Sequence, residues 1–257
     1  MQHLLQDIVV GNIFAFMLIF MRLGMAMMIM PGIGDSFVPQ RSRLLFALAF
    51  SFVLMPFLAP RLPAIPDGAL PFAMLMIAEA LTGIFMGTVM RIMVNALDTA
   101  GTVVSMMAGY SNATLFNPAT QAQGTMTGTL YSMLGVALIL MTDMHHFMLA
   151  SIVESYQTFP ANGHIPGIEM MSETIGKTIT LSFRIGVQMA MPFLVVGTII
   201  QIGFGLLGRL LPQVQVFFLA MPVQIFLSLV IFALTLSTAM MYWLDAFDAS
   251  VRQGLGH

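Results

Sequence analysis

An all-α membrane protein is the fold class that this sequence predicts, on three observations. Hydrophobic residues make up 58% of the 257-residue chain and charged residues 8%, where an ordinary soluble domain carries roughly 25% charged residues. Apolar runs near the roughly 20 residues that a bilayer-spanning helix needs recur along the whole chain. No segment shows the sustained apolar/polar alternation of a half-buried strand. With a mean hydropathy of +0.93 there is too little charge to coat a core of this size. The apolar surface is therefore expected to face lipid, other apolar subunits, or both.

Six apolar runs are expected to be helices: Ile8 to Met30, Leu44 to Leu58, Leu70 to Leu97, Thr129 to Met148, Ile179 to Leu211 and Val216 to Trp243. Their ends have recognisable chemistry. Pro31, Gly32 and Gly34 stop the first, because proline lacks a backbone donor and glycine tolerates positive φ. Asp35 and Ser36 are expected to cap the next helix. Pro56, Pro60, Pro63 and Pro66 read as one stiff extended linker. Asn162, Gly163, Pro166 and Gly167 form a loop, and Ser172 weakly starts a helix. Leu211-Pro212-Gln213 is a tight connection, so the last two runs are expected to form an antiparallel hairpin. Basic residues lie near both sides of any six-span arrangement, so orientation is not legible from charge.

Several function classes drop out. Net charge is −2 with 9 basic residues, and the arginines are scattered, which does not suit phosphate neutralisation along nucleic acid. There is no cysteine, hence no disulfide, thiol nucleophile or thiolate metal site. The N-terminus has no basic stretch before its apolar run, which is too long for a secretory signal and is read as the first helix. Serine-nucleophile and phosphate-loop motifs are missing. Asp143-Met144-His145-His146 suggests a metal only faintly: adjacent histidines on a helix point about 100° apart, and no HxxxH spacing occurs. It reads as a polar helix end at an interface, with no cofactor and no metal expected.

Three features carry information. From Asp98 to Asp143 no charged residue intervenes, and the middle of that stretch, Gly109 to Thr125, is polar and rich in turn formers. Polar irregular backbone without charge suits a segment buried in protein or lining a conduit. Methionine accounts for 27 residues. Met86, Met90 and Met93 share a helix face, where adaptable thioethers most simply fill a core. Finally, Arg22, Glu79, Arg91 and Arg184 interrupt apolar runs, where charge is expensive and faces protein or water. Glu79 and Arg91 are over three turns apart on one helix, so each needs a partner elsewhere, on this or another subunit.

These residues resemble the FliR family of type III export proteins, shared by flagella and virulence injectisomes, nearly end to end. The resemblance rests on ordered blocks. Arg22-Leu-Gly-Met-Ala is followed by Pro31, Val38-Pro39 and Arg43. Glu79-Ala-Leu-Thr-Gly83 and Gly87 lead to Ala100-Gly101 and the uncharged loop with Asn117-Pro118. His145-His146 precede Ser155 and Pro160. Gly208-Arg209-Leu-Leu-Pro212-Gln-Val-Gln-Val-Phe217 precedes Pro222. Gln215 stands where the pattern has Asn, and Met144 where Gly often precedes the histidines.

The resemblance implies a non-enzymatic subunit of a helical export gate in the bacterial inner membrane, at the flagellar basal body or its injectisome equivalent. One copy would close a ring of five FliP-like subunits, with FliQ-like and FlhB-like neighbours, around unfolded export substrates. Residues 1–168 would be FliP-like and 169–257 a FliQ-like hairpin. The loop near 109–125 would plug the channel through Tyr110, Asn112, Phe116, Asn117 and Gln121. Arg22, Glu79, Arg91, Arg209, Pro212, Phe217 and Pro222 would serve assembly. The competing expectation is a stand-alone secondary transporter or small-solute channel, which predicts midplane ligands and inverted repeats; no such repeat is visible.

Overall fold

The computed structural model describes residues 2–110, 125–163, 167–210 and 216–254, with side-chain surroundings over 9–110, 125–163, 167–210 and 220–252. Among the described residues there is no strand, and seven α-helices follow one another: α1 (Gln2–Ile29), α2 (Gln40–Leu58), α3 (Ala69–Ala108), α4 (Met126–Met141), α5 (Met144–Thr158), α6 (Ile168–Leu210) and α7 (Val216–Gly254). Five are long and apolar enough to cross a membrane, six if the bent pair α4 and α5 counts as one span. The all-α membrane class is thus the observed one. At 1.5 Å per residue, α3 is about 60 Å long, α6 about 64 Å and α7 about 58 Å. Each is roughly twice the 30 Å hydrocarbon core of a bilayer.

The third run extends well past Leu97, to Ala108. The fourth, Thr129 to Met148, is not one helix. It divides into α4 and α5, bent by 75° at a break. Asp143 there adopts φ 58, the one positive φ outside glycine among the described residues. Aspartate tolerates that left-handed region better than most side chains, and one such residue ends a helix.

Three other expectations need correction. Asp35 and Ser36 do not cap α2. Pro39 occupies the N-cap position without a side-chain cap, and its carbonyl accepts from the Ser42 and Arg43 amides. The fixed φ of proline, here −58, already suits a helix entry. Nor do the four prolines form one extended linker. Pro56 lies inside α2, and Pro60 lies in the 3-10 turn Ala59–Arg61. Proline is tolerated at the start of a helical turn because its missing donor would be unsatisfied anyway. Ser172, finally, lies inside α6, which begins at Ile168, and its hydroxyl donates to the Glu169 carbonyl at 2.8 Å.

The chain forms two compact units. The first comprises Met1–Ile92, Ile139–Thr178 and Ala249–His257. Its core includes Phe14, Leu18 and Leu75 on α1 and α3, and Ile19, Leu58, Tyr156 and Ala161. The second comprises Met93–Leu138 and Ile179–Asp248. Here the Tyr131 and Phe232 rings lie 5.4 Å apart and Phe193 stands 6.3 Å from Phe232. Trp243 is fully buried and its indole N–H donates to the Met93 carbonyl at 2.9 Å. Within this unit α6 and α7 run antiparallel: Gln188 meets Tyr242, and farther along Phe193 meets Phe232. Met86, Met90 and Met93 are all buried, which is the packing role their spacing suggested.

Candidate functional site

In the first unit, Arg22 and Glu79 find each other. Arg22 lies on α1 and Glu79 on α3, and both are about 98–99% removed from solvent. The pair is bidentate: Nε donates to Oε2 at 2.7 Å and Nη2 to Oε1 at 2.8 Å. Nη1 also donates to the Ser155 hydroxyl at 3.1 Å, and Nη2 to the Phe159 carbonyl at 2.8 Å. The guanidinium lies 3.8 Å from the Tyr156 ring centre, a cation–π contact. One planar fork thus joins α1, α3 and α5, using the geometry that distinguishes arginine from lysine. Close approach of α1 and α3 needs Gly83, where a Cβ would overlap the Arg22 carbonyl. A cavity of about 260 Å³ opens beside the pair, lined by Thr82, Thr158, Asn162 and Met170 among others.

Arg91, expected to pair elsewhere, does so within this chain. It forms an ion pair with Asp35, whose other oxygen accepts from the Gly32 amide at 2.7 Å. Arg43 completes this turn by donating to the Val38 and Gly34 carbonyls, each at 3.0 Å. The sequence blocks quoted Arg43, but Asp35 was read as a cap, because nothing in the chain order shows that a carboxylate after α1 meets an arginine 56 residues on.

In the second unit, the structure holds the two stems of the uncharged loop. Thr127 on α4 donates to the Gly101 carbonyl on α3 at 2.5 Å, so its oxygen accepts from Ser105, also at 2.5 Å. Both hydroxyls are buried. Gly101 lies so close to α4 that a Cβ there would overlap the Gly128 backbone. Toward the end of α3, the Gln224 amide of α7 donates to the Met107 carbonyl at 2.6 Å. Ser105, Thr127 and Gln224 were missed in the sequence, where serines, threonines and glutamines give no long-range signal. Replacing Gly101 with Leu is expected to destabilise the second unit by about 1–3 kcal/mol through overpacking. Ser105→Ala should cost about 1 kcal/mol for its lost hydrogen bond. Thermal unfolding in detergent measures both; a Gly101→Leu variant as stable as the unaltered chain would refute the close-approach account.

Of the other expected residues, Tyr110 is half-buried just past α3, and burial pushes its phenol above its ordinary range. Asn112, Phe116, Asn117, Gln121 and Pro212 lie outside the described residues, as does the Phe217 side chain. Arg209 is exposed in the last turn of α6, and Pro222 is exposed inside α7. Exposed Val195, Ile199, Ile202, Leu206 and Leu210 form a stripe along α6. Their spacings of three and four residues place them on one helix face.

Comparison with known proteins gives a consistent result. The model of the family described as bacterial export proteins, family 1, matches residues 13–250. A flagellar biosynthetic protein FliR of Caulobacter vibrioides is 37% identical over 236 residues, covering 92% of this chain and 94% of the relative. The FliR of Bacillus subtilis is 26% identical, covering 92% of each chain. A Yop proteins translocation protein T of Yersinia pestis is 26% identical over 63% of this chain and 62% of its own.

Proposed function

Because the chain belongs to the bacterial export proteins, family 1, we propose that it is a non-enzymatic subunit of a type III protein export gate. The observation that carries this is the near end-to-end similarity to flagellar FliR proteins. The flagellar system is favoured over an injectisome, because the similarity to the Yersinia translocation protein covers a smaller share of the chain. A stand-alone transporter does not account for that likeness. The gate sits in the bacterial inner membrane, with FliP-like, FliQ-like and FlhB-like subunits as partners and one copy of this chain to five FliP-like subunits. Residues 1–168 act as the FliP-like part and 169–257 as the FliQ-like hairpin.

The physical support lies on the surface. Exposed apolar side chains recur along α6 from Ile168 to Leu210. That is beyond bilayer length, so lipid alone cannot cover them. Partner helices are the natural cover. Arg209, Pro212, Phe217 and Pro222 lie at or near the connection of the last two helices, while Arg22, Glu79 and Arg91 hold the framework of the first unit. Tyr110, Asn112, Phe116, Asn117 and Gln121 belong to the segment that closes the channel.

Coexpression tests the reading. With FliP-like and FliQ-like subunits the chain should yield one defined complex. The double change Ile199→Glu and Ile202→Glu should abolish its recovery while leaving the helix content of the isolated chain in detergent unchanged, since both positions are exposed there and a partner helix would bury the two charges. A monodisperse monomer formed equally well without partners, or normal recovery of the double variant, contradicts the assignment.

A further inference from the structure

The break between α4 and α5 gathers three metal-ligating side chains. Asp143, His145 and His146 each present one ligand atom, and these atoms all lie within 4.8 Å of one another. Asp143 Oδ1 stands 3.5 Å from His146 Nδ1, close to the roughly 3.3 Å separating two ligands on a tetrahedral zinc ion with 2.0–2.1 Å bonds. The imidazole rings of His145 and His146 have centroids 4.0 Å apart. The 100° divergence expected of helical neighbours therefore does not keep them apart at this helix start.

Two further observations point to a ligand. His145 keeps its Nδ1 shielded from solvent without a hydrogen-bond partner, a state that is unfavourable unless a proton donor or a metal meets the ring. Asp143 holds a left-handed backbone, φ 58 and ψ 14, and that places its carboxylate beside the first turn of α5.

We propose that Asp143, His145 and His146 bind one divalent transition-metal ion of the zinc class. Two imidazole nitrogens and one carboxylate oxygen are borderline donors that suit Zn²⁺, Ni²⁺ or Cu²⁺ better than Ca²⁺ or Mg²⁺, which take all-oxygen shells. Three protein ligands leave a position for water. The dipole at the start of α5 opposes a cation there, and the Asp143 carboxylate offsets that opposition. Asp143 and His146 are exposed, so an ion can enter from solvent. The site shares no residue with the loop stems or the Arg22–Glu79 junction and does not depend on the export reading.

The test uses the full chain in detergent, purified without a histidine tag and stripped with chelator. Zn²⁺ is titrated against a chromogenic competitor, and Co²⁺ is added separately to read the ligand field. The expected result is saturable binding of one Zn²⁺ per chain. His146→Ala and Asp143→Asn, both at exposed positions, should each weaken binding at least about tenfold and alter the Co²⁺ spectrum. Glu173→Gln, at an exposed carboxylate that pairs with Lys177, should leave both readouts unchanged. Absence of saturable one-to-one binding overturns the site. So does unchanged affinity in His146→Ala, or an equal loss in Glu173→Gln.

Discussion

Deleting Ser111 to Ala122 is expected to leave the complex assembled and open it to ions. The stems on either side are tied by groups outside the deletion: the Ser105–Thr127–Gly101 hydrogen bonds and the Gln224 bond to Met107. The deleted stretch carries no charge, as suits a segment enclosed by protein, where an unpaired charge would be expensive. On the proposed plug role, removing it takes bulk from the channel while these stem hydrogen bonds stay in place. Conductance of the reconstituted complex should rise sharply, and growth of cells carrying the variant should slow. Phe116→Ala, which removes one ring and leaves the rest of the segment, should leak less. Baseline conductance in an intact deletion complex would show that the segment is an external loop.

The second large effect is at Arg22 and Glu79. Removing one partner leaves the other charge buried with no counterion. For a pair this enclosed the cost is about 3–5 kcal/mol, a large share of the roughly 5–15 kcal/mol that typically separates folded from unfolded chains. Arg22→Ala also takes a donor from the Phe159 carbonyl and from the Ser155 hydroxyl, which still donates to the Ile152 carbonyl. Recovery of folded chain should therefore collapse for Arg22→Ala and for Glu79→Ala. Replacing both, as Arg22→Met with Glu79→Leu, should restore much of it, because an apolar pair of similar volume needs no desolvation. Resistance to proteolysis in detergent reads this directly. A double variant no more stable than either single one would mean that the pair contributes through something other than mutual charge compensation.

Much of the architecture was legible without coordinates. The apolar runs at Ile8 to Met30 and Val216 to Trp243 correspond to α1 and α7, because hydropathy is local and cumulative along a helix. The stop at Pro31-Gly32 was legible for the same reason, since a proline or glycine acts on its own backbone. The antiparallel course of the last two helices followed from how short a connection Leu211-Pro212-Gln213 leaves between them. Family membership was legible as well, through ordered blocks that no single element produces.

Other features were decided only by tertiary structure. The run Thr129 to Met148 looks continuous because hydropathy does not report the left-handed backbone of Asp143. Asp35 looked like a helix cap because a carboxylate beside a helix start usually is one. Its true partners, Gly32 and Arg91, depend on where α3 passes. Arg22 and Glu79 were each recognisable as costly charges in apolar runs, yet 57 residues separate them, and the choice of partner is made by the packing of α1 against α3. Gly101 and Gly128 show only as small residues until two backbones meet at them. The sequence by itself determined which segments must leave water and where each must end, since those are sums over neighbouring residues. Which charge meets which, and which glycine admits another helix, was left to the tertiary structure, because such contacts are fixed by distances between segments far apart in the chain.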